Sequence, residues 1–301
     1  MIVNRFFSPD DRNPLEWDES QSCYFSNGRQ FRYERVGPIP VLLPQNAADI
    51  QGKAAQHEQF DSAFHYLDHY RKDAELFDYF VSPTDGATLH EHRRLHETII
   101  QEIDHTDVTI LDVGCGNAWL AGTLCPKGAQ VCSFDVSLAN TQKALQKYPF
   151  DNHQAVVGDV FHLPFGENTF DYIVAAEIIE HLVQPALFIE NLLRVLKPGG
   201  KIIITTPYDE RIVYYLCIHC NRPTPQHAHL HSFDEKGILA LVPSSLRAAA
   251  KTLAFSNKVL LKLRTHILNR YLPLSIWRWV DAMANRLIGK PTRLLLVVKK
   301  G

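Results

Sequence analysis

The sequence predicts an α/β protein built on a doubly wound, mostly parallel sheet. Short apolar strands alternate with helix-length segments from Val108 onward. Strands that are apolar throughout belong to a parallel sheet covered on both faces. The first strand runs into Gly114 and Gly116, a pair that lets the backbone turn tightly and approach a ligand before a helix begins. Asp112, Asp135 and Asp159 close three successive strands, and the carboxyl ends of the strands are where such a sheet binds its ligand.

Three zones precede or follow that pattern. Residues 1–45 are rich in Pro, Gly and aromatic residues and read as a small β-rich segment; residues 46–105 read as helical. In the second zone Phe60, Phe64, Leu67 and Tyr70, then Leu89, His92, Leu95, Ile99 and Ile103, recur at three-to-four spacing. The strands expected next are 108–113, 130–134, 155–157, 172–175 and 201–205, with helices at 119–124, 139–147 and 185–196. Asp171 precedes the fourth strand, at the wrong end of the sheet for a ligand, and is read as structural. Lys197-Pro-Gly-Gly200 is read as a turn that stops a helix ahead of the fifth strand. Residues 246–288 are read as a basic helical cap over the substrate pocket, before a last strand at 294–298.

Composition narrows the class. The chain has 301 residues, 46% hydrophobic and 21% charged, as expected of a water-soluble globular protein. No run approaches the roughly 18 apolar residues of a membrane span, and the N-terminus is not expected to be a secretory signal. Six irregularly spaced cysteines give no disulfide framework, which favours a reducing cytoplasm. Net charge is −2, yet from Leu246 to the end 12 Lys or Arg face a single acid, Asp281. Such asymmetry suits an anionic partner; the mixture of basic residues with Leu, Ile, Trp277 and Trp279 suits a membrane surface better than nucleic acid.

The glycine loop reads Leu111-Asp-Val-Gly-Cys-Gly-Asn-Ala-Trp119. A dinucleotide fingerprint needs a small residue three positions after Gly116, where Trp119 stands, so a hydride-transfer enzyme using NAD is weakened. Asp135, nineteen residues after Gly116, can accept both ribose hydroxyls of an adenosine. Asp159 can accept the exocyclic amine of adenine, and Asp112 an ammonium group. Three acids without a basic phosphate clamp describe a nucleoside with a cationic tail.

The ordered stretches LDVGCGNAWL, FDVS, GDVFHLPFGENTFDYIVAAEIIEHL and LLRVLKPGGKIIITTP resemble the class I S-adenosylmethionine-dependent methyltransferases over about residues 106–207. The resemblance implies a Rossmann-like, seven-stranded sheet with helical additions, a domain spanning 106–301, and S-adenosyl-L-methionine as cofactor. It implies that Asp112, Gly114 and Gly116, with Cys115 and Asn117, line the methionine part, and that Asp135, with Val136 and Ser137, holds the ribose. Asp159 and Val160 would meet adenine, and Ala176 and Glu177 the sulfonium end. Ala118 supplies a small residue that the family often has.

Methyl transfer from a sulfonium is an in-line displacement whose electrophile belongs to the cofactor; a hydroxyl acceptor also needs a base. His181, just beyond the fourth strand, is the base candidate. Relatives often carry a His-x-His-x-Phe element after the fifth strand, so His229, His231 and Phe233, with Tyr208, are expected to line the acceptor pocket. Cys217-Ile-His-Cys220 with His227, His229 and His231 has zinc ligand types, but these histidines alternate as on a strand and no metal site is assigned. His90, His92 and His96 are read as a solvated helix face.

Residues 22–44 resemble the second half of the Trm112-like zinc ribbon that many methyltransferases of this class carry. Cys23 stands at one ligand position and Ser26 at the next, so the shape is expected without its metal, docked on the methyltransferase domain or forming a homodimer contact. The function expected is methyl transfer to an O or N, ahead of C, of a small or lipid-like acceptor, in the cytoplasm and in peripheral contact with a membrane. A cofactor-binding scaffold without catalysis is the alternative, and an NAD-dependent oxidoreductase a remote one.

Overall fold

A computed structural model describes residues 3–45, 56–57, 62–63, 66–218 and 221–301. Phe60, Phe64 and Cys220, singled out above, lie outside the described residues. The chain opens with an antiparallel meander, β1 (Leu15–Asp18), β2 (Cys23–Ser26), β3 (Arg32–Val36) and β4 (Ile39–Leu42). A short pair, β5 (Gln56–His57) and β6 (Ser62–Ala63), precedes α1 (Tyr66–Leu76) and α2 (Gly86–Ile100). Asp85 caps α2, its carboxylate accepting from the Thr88 N–H at 2.8 Å, which satisfies one of the orphan donors of the first turn.

The α/β part follows as β7 (Thr109–Val113), α3 (Trp119–Leu124), β8 (Gln130–Asp135), α4 (Leu138–Lys147), β9 (His153–Gly158), β10 (Phe170–Ala176), α5 (Pro185–Val195) and β11 (Leu196–Pro207). Beyond it lie β12 (Tyr214–Leu216), β13 (Pro223–Pro225), α6 (Glu235–Ala240), β14 (Ala250–Asn257), α7 (Lys258–Lys262), α8 (His266–Asn269), α9 (Leu274–Leu287) and β15 (Pro291–Lys299).

The main sheet runs β1-β2-β3-β4-β9-β8-β7-β10-β11-β15-β14. Its last seven strands are the expected doubly wound core, all running in one direction except β15. The alternation that signalled it is visible in the packing. Leu111, Ile173, Ile202, Ile204, Leu294 and Leu296 enter the hydrophobic core on one face, while Ile110, Val174, Ile203, Leu295 and Val297 enter the other. Successive strand residues point to opposite faces, and each such side chain withdrawn from water contributes about 1.5–3 kcal/mol.

Two expectations are corrected below, and the N-terminal segment joins the main sheet. Its β4 pairs in parallel with β9 through Val41↔Val157 and Leu42↔Gly158, extending the sheet to eleven strands. Val3, Phe6, Tyr24, Phe31, Tyr33 and Leu42 of this segment join the same core as Phe165 and Phe170, covering an edge that would otherwise present unpaired backbone groups.

Lys197–Gly200 belongs to β11 rather than forming a separate turn, and the register with β10 jumps between Phe170↔Leu196 and Tyr172↔Lys201. A Cβ on Gly200 would sit 2.6 Å from the Asp171 carbonyl oxygen, so only glycine lets the chain irregularity pack there.

The stretch read as a helical cap from 246 contains the edge strand β14, antiparallel to β15. Thr252, Leu253 and Phe255 suit a half-buried strand, and pairing with the very apolar β15 decides the segment's conformation. Helices α7, α8 and α9 do follow, but they pack outside α2 and β14 instead of over the pocket.

Candidate functional site

The chain winds from β7 to one side through β8 and β9, then returns to the other through β10 and β11. The crevice at this switch point, beyond the carboxyl ends of the strands, holds a cavity of about 590 Å³. That volume suits a nucleoside-sized cofactor together with a small acceptor. Every cofactor position expected from the sequence lines it except Ser137; Asp112, Gly114, Cys115, Gly116, Asn117, Asp135, Val136, Asp159, Val160, Ala176 and Glu177 all face it. Ser137 instead caps α4, accepting from the Asn140 N–H at 3.3 Å.

The loop after β7 is built on left-handed backbone. Gly114 has φ +62° and its N–H donates to the Phe134 carbonyl at 2.8 Å. Ala118, with φ +52°, and Glu177, with φ +58°, adopt the same region without being glycine, at a cost of about 1–2 kcal/mol each. Strain of that kind collects where backbone is aimed at a ligand.

Asp135 accepts from the Ser137 N–H at 2.9 Å and the Gly116 N–H at 3.3 Å, which ties the two loops together. Asp159 accepts from the Phe161 N–H at 3.2 Å and pairs with His162 Nδ1 at 2.5 Å. Asp112 is 3% exposed, and its Oδ2 has no hydrogen-bond partner among the described residues. Burial, with Asp135 adding repulsion, pushes its carboxyl well above the usual carboxylate range. An ammonium or sulfonium ligand would relieve both conditions, so these residues fit the cofactor that the resemblance implies.

Beside this acidic end stands a second group of polar side chains that sequence reading only partly anticipated. Glu177 lines the cavity, but its carboxylate is paired with Arg293 of β15. Burial raises the Glu177 carboxyl, and Arg293 opposes that rise. Arg293 also lies 3.3 Å from Glu91. Past Glu177 a single helical turn carries Glu180 and His181. His181 Nδ1 donates to the Ala228 carbonyl at 3.3 Å, and its ring lies 4.7 Å from that of His229. Burial, then His229, lowers its pKa to about 4.

His227, His229 and His231 are not on a strand. Residues 226–228 form a tight turn with His227 at φ +57°, and the three rings part company. His229 is held by Glu210 through Nδ1 and meets His181, whereas His231 stacks on Phe233. The Tyr208 hydroxyl donates to Glu235 at 2.8 Å, and that acid pushes its pKa to about 12. Tyr208, His229 and His231 are not among the residues that line the cavity; His229 reaches the acceptor side through His181.

The histidines of α2 correct the expectation of a solvated face. His90 is buried, His92 and His96 line the cavity, and His96 stacks on Trp119 with ring centroids 3.7 Å apart. The wall opposite the strand tips comes from Leu67 and Tyr70 of α1, Tyr79 and Val81 after it, and Leu95 of α2. Of these residues, Leu67, Tyr70, His92 and Leu95 were readable as members of helical patterns, with no sign that they face a ligand, whereas Tyr79 and Val81 carried no signal.

Comparison with known proteins agrees with this geometry. Residues 111–204 match the family described as "Methyltransferase domain". The mitochondrial ubiquinone biosynthesis O-methyltransferase of Rattus norvegicus is 36% identical over 115 residues, covering 36% of this chain and 33% of that protein. The demethylmenaquinone methyltransferase of Paenarthrobacter aurescens is 26% identical over 121 residues, covering 40% and 47%. The chain thus spans less than half the length of these curated relatives. In fold it is similar to the PH0226 protein of Pyrococcus horikoshii, with a TM-score of 0.50 at 16% identity, covering 76% of this chain and 99% of that one. It is equally similar to phosphoethanolamine N-methyltransferase 2 of Haemonchus contortus, with a TM-score of 0.50 at 18% identity, covering 78% and 59%. Residues 111–204 therefore match the core of a methyltransferase domain, and the chain has the doubly wound fold of the class I methyltransferases.

Proposed function

We propose that the protein transfers the methyl group of S-adenosyl-L-methionine to an O or N of a small, lipid-like acceptor. The observation that carries this reading is one continuous cavity with two chemistries. Unsatisfied acid at Asp112 and the glycine loop form one end, while Leu67, Tyr70, Tyr79, Val81 and Trp119 form an apolar and aromatic wall. An aromatic acceptor suits that wall, and relatives named for ubiquinone, menaquinone and tocopherol methylation support the choice.

The protein's part in the reaction is alignment of acceptor, methyl and sulfur, worth about 7–11 kcal/mol when complete. Asp135 and Asp159 would fix the nucleoside, Asp112 the amino-acid end, and the wall would exclude water. His181, with Nδ1 engaged by Ala228, would present Nε2 to an acceptor hydroxyl. Replacing His181 with Ala should lower turnover ~10²-fold without loosening S-adenosylhomocysteine, as expected for a lost base. Calorimetry with S-adenosylhomocysteine and a labelled-methyl assay on catechol-type acceptors test the whole reading. Binding without turnover on any acceptor of an extract would favour the scaffold, and binding of NAD instead would favour the oxidoreductase.

The C-terminal helices support a peripheral membrane contact. On α9 the outward stripe is Ile276, Trp279, Met283 and Leu287, with Trp279 67% and Leu287 78% exposed. Leu268 and Tyr271 are exposed beside it. The only acid between 246 and 301, Asp281, is turned inward and buried, so the charges that this segment itself exposes are basic. No helix among the described residues is long and apolar enough to cross a membrane. Flotation with anionic vesicles should carry the wild type and lose the Trp279→Glu variant, with neutral vesicles carrying neither. Equal flotation on both vesicle types would discard the basic residues as determinants.

A further inference from the structure

Glu180, His181 and His229 each offer one ligand atom, and these atoms lie within 4.8 Å of one another. Each histidine is held by its other side. The Ala228 carbonyl accepts from His181 Nδ1–H, and Glu210 engages Nδ1 of His229. An oxygen acceptor on Nδ1 fixes the tautomer and leaves the Nε2 lone pair to a ligand, the arrangement that orients metal-bound imidazoles. His181 Nε2 lies 3.9 Å from Glu180 Oε1. Glu180 itself is 1% exposed, and its Oε2 has no hydrogen-bond partner among the described residues. A buried carboxylate oxygen without a donor is costly unless a cation completes it.

The backbone fixes the same arrangement. The Glu180 carbonyl accepts from the Leu230 N–H at 2.8 Å and the His231 N–H at 3.1 Å, so the loop carrying His229 is tied to the turn carrying the other two. We propose that Glu180, His181 and His229 form a binding site for a divalent transition-metal ion of the zinc type, at the acceptor end of the cavity. Two imidazoles and one carboxylate suit such an ion better than magnesium or calcium, which favour all-oxygen shells. Bonds of about 2.1 Å place ligand atoms roughly 3–3.5 Å apart, so the cluster closes on the ion by about an ångström. His181 reaches the cavity, which leaves a coordination position open toward an acceptor.

The inference rests on the methyltransferase reading and deepens its acceptor side. An acceptor hydroxyl bound to the ion loses its proton to solvent more readily. The resulting oxyanion forms the O–CH₃ bond as the C–S bond breaks, and the electron pair stays on sulfur as S-adenosylhomocysteine. His181 then acts through the ion instead of as a free base.

The test titrates metal-free full-length protein with Co²⁺, read by visible absorption, and with Zn²⁺, read by metal content after dialysis. S-adenosylhomocysteine binding is measured separately by calorimetry. The wild type should bind one equivalent, and Glu180→Gln and His229→Ala should each bind at least ~10-fold more weakly with cofactor affinity unchanged. Glu210→Gln, which leaves all three ligands in place, should weaken the ion ~10- to 100-fold. Wild-type protein that binds no stoichiometric metal, or a His229→Ala variant that binds it equally well, overturns the proposal. So does full methyl transfer by metal-free enzyme, a result that leaves the methyltransferase reading intact. Failure to bind S-adenosylhomocysteine would instead sink that reading, while the cobalt titration would still decide the site.

Discussion

Substituting Gly114 by Ala probes the cofactor loop at its tightest point. The residue sits at φ +62°, and an added Cβ would lie 2.2 Å from Ile178 Cδ1 and 2.8 Å from Ile178 Cγ1. Left-handed backbone costs a non-glycine residue about 1–2 kcal/mol, and forcing a packed side chain aside costs about 1–3 kcal/mol. The first penalty falls on the fold whether or not cofactor is present. The second falls largely on binding, because Ile178 lines the cavity and moves into the space the cofactor would take. Gly114→Ala should therefore unfold at lower denaturant and bind S-adenosylhomocysteine at least ~10-fold more weakly, since 1.4 kcal/mol is a factor of ten. Adding Ile178→Ala removes both clashing atoms. The double variant should regain most of the affinity while keeping the backbone part of the stability loss. Calorimetry and denaturant unfolding on the three proteins read the two penalties separately. Wild-type affinity in Gly114→Ala, or no recovery in the double variant, would refute the assignment of this loop to the cofactor.

Two predictions concern stability. His90 is 5% exposed, and burial, with Arg94 beside it, lowers its pKa to about 4. The folded state keeps this ring neutral where the unfolded chain takes a proton below about 6.5, so stability present above that pH is lost as pH falls toward 4. By pH 5 the loss should reach about 2 kcal/mol, seen as a falling denaturant midpoint between pH 7 and 5; a His90→Gln variant with an equally steep fall would refute the assignment. Asp281 accepts from the Ser256 N–H at 2.9 Å and the Asn257 N–H at 2.7 Å. Replacing it with Ala strands two buried donors and should cost roughly 2–4 kcal/mol with cofactor affinity unchanged; a cost under ~1 kcal/mol would mean that water replaces the carboxylate.

The cofactor half was legible because its residues come from consecutive strand tips. In a parallel sheet every strand ends at the same edge, so Asp112, Asp135 and Asp159 could be brought together from spacing alone. The strands β7, β8 and β10 were found for the same reason, their apolar residues being continuous. Other features depended on partners far away in sequence. Nothing local marks β4 as the neighbour of β9, more than a hundred residues later. Likewise β14 becomes a strand because β15 is beside it, inside a stretch whose basic and apolar residues together read as helix. His96 looked solvated because the ring that covers it belongs to Trp119, a residue read only as too bulky for a dinucleotide loop.

That contrast bears on how the two halves of the site can vary. The loop after β7 is tied into the sheet by backbone bonds from the Gly114 and Cys115 N–H groups to the Phe134 carbonyl, at 2.8 and 3.2 Å. A change there disturbs strand order as well as binding. The proposed acceptor end is assembled from α1, α2, the turn at 179–181, the loop at 226–231 and Arg293 of β15, segments far apart in sequence joined by side chains and by the two backbone bonds to the Glu180 carbonyl. Among these joints the Glu177–Arg293 pair links the left-handed residue after β10 to β15. Removing one partner of a buried pair costs about 3–5 kcal/mol through the charge left behind. The resemblance covers residues 111–204, whereas α1, α2, the loop at 226–231 and Arg293 lie outside it, so the proposed acceptor end is set largely by parts of the chain that the resemblance does not reach.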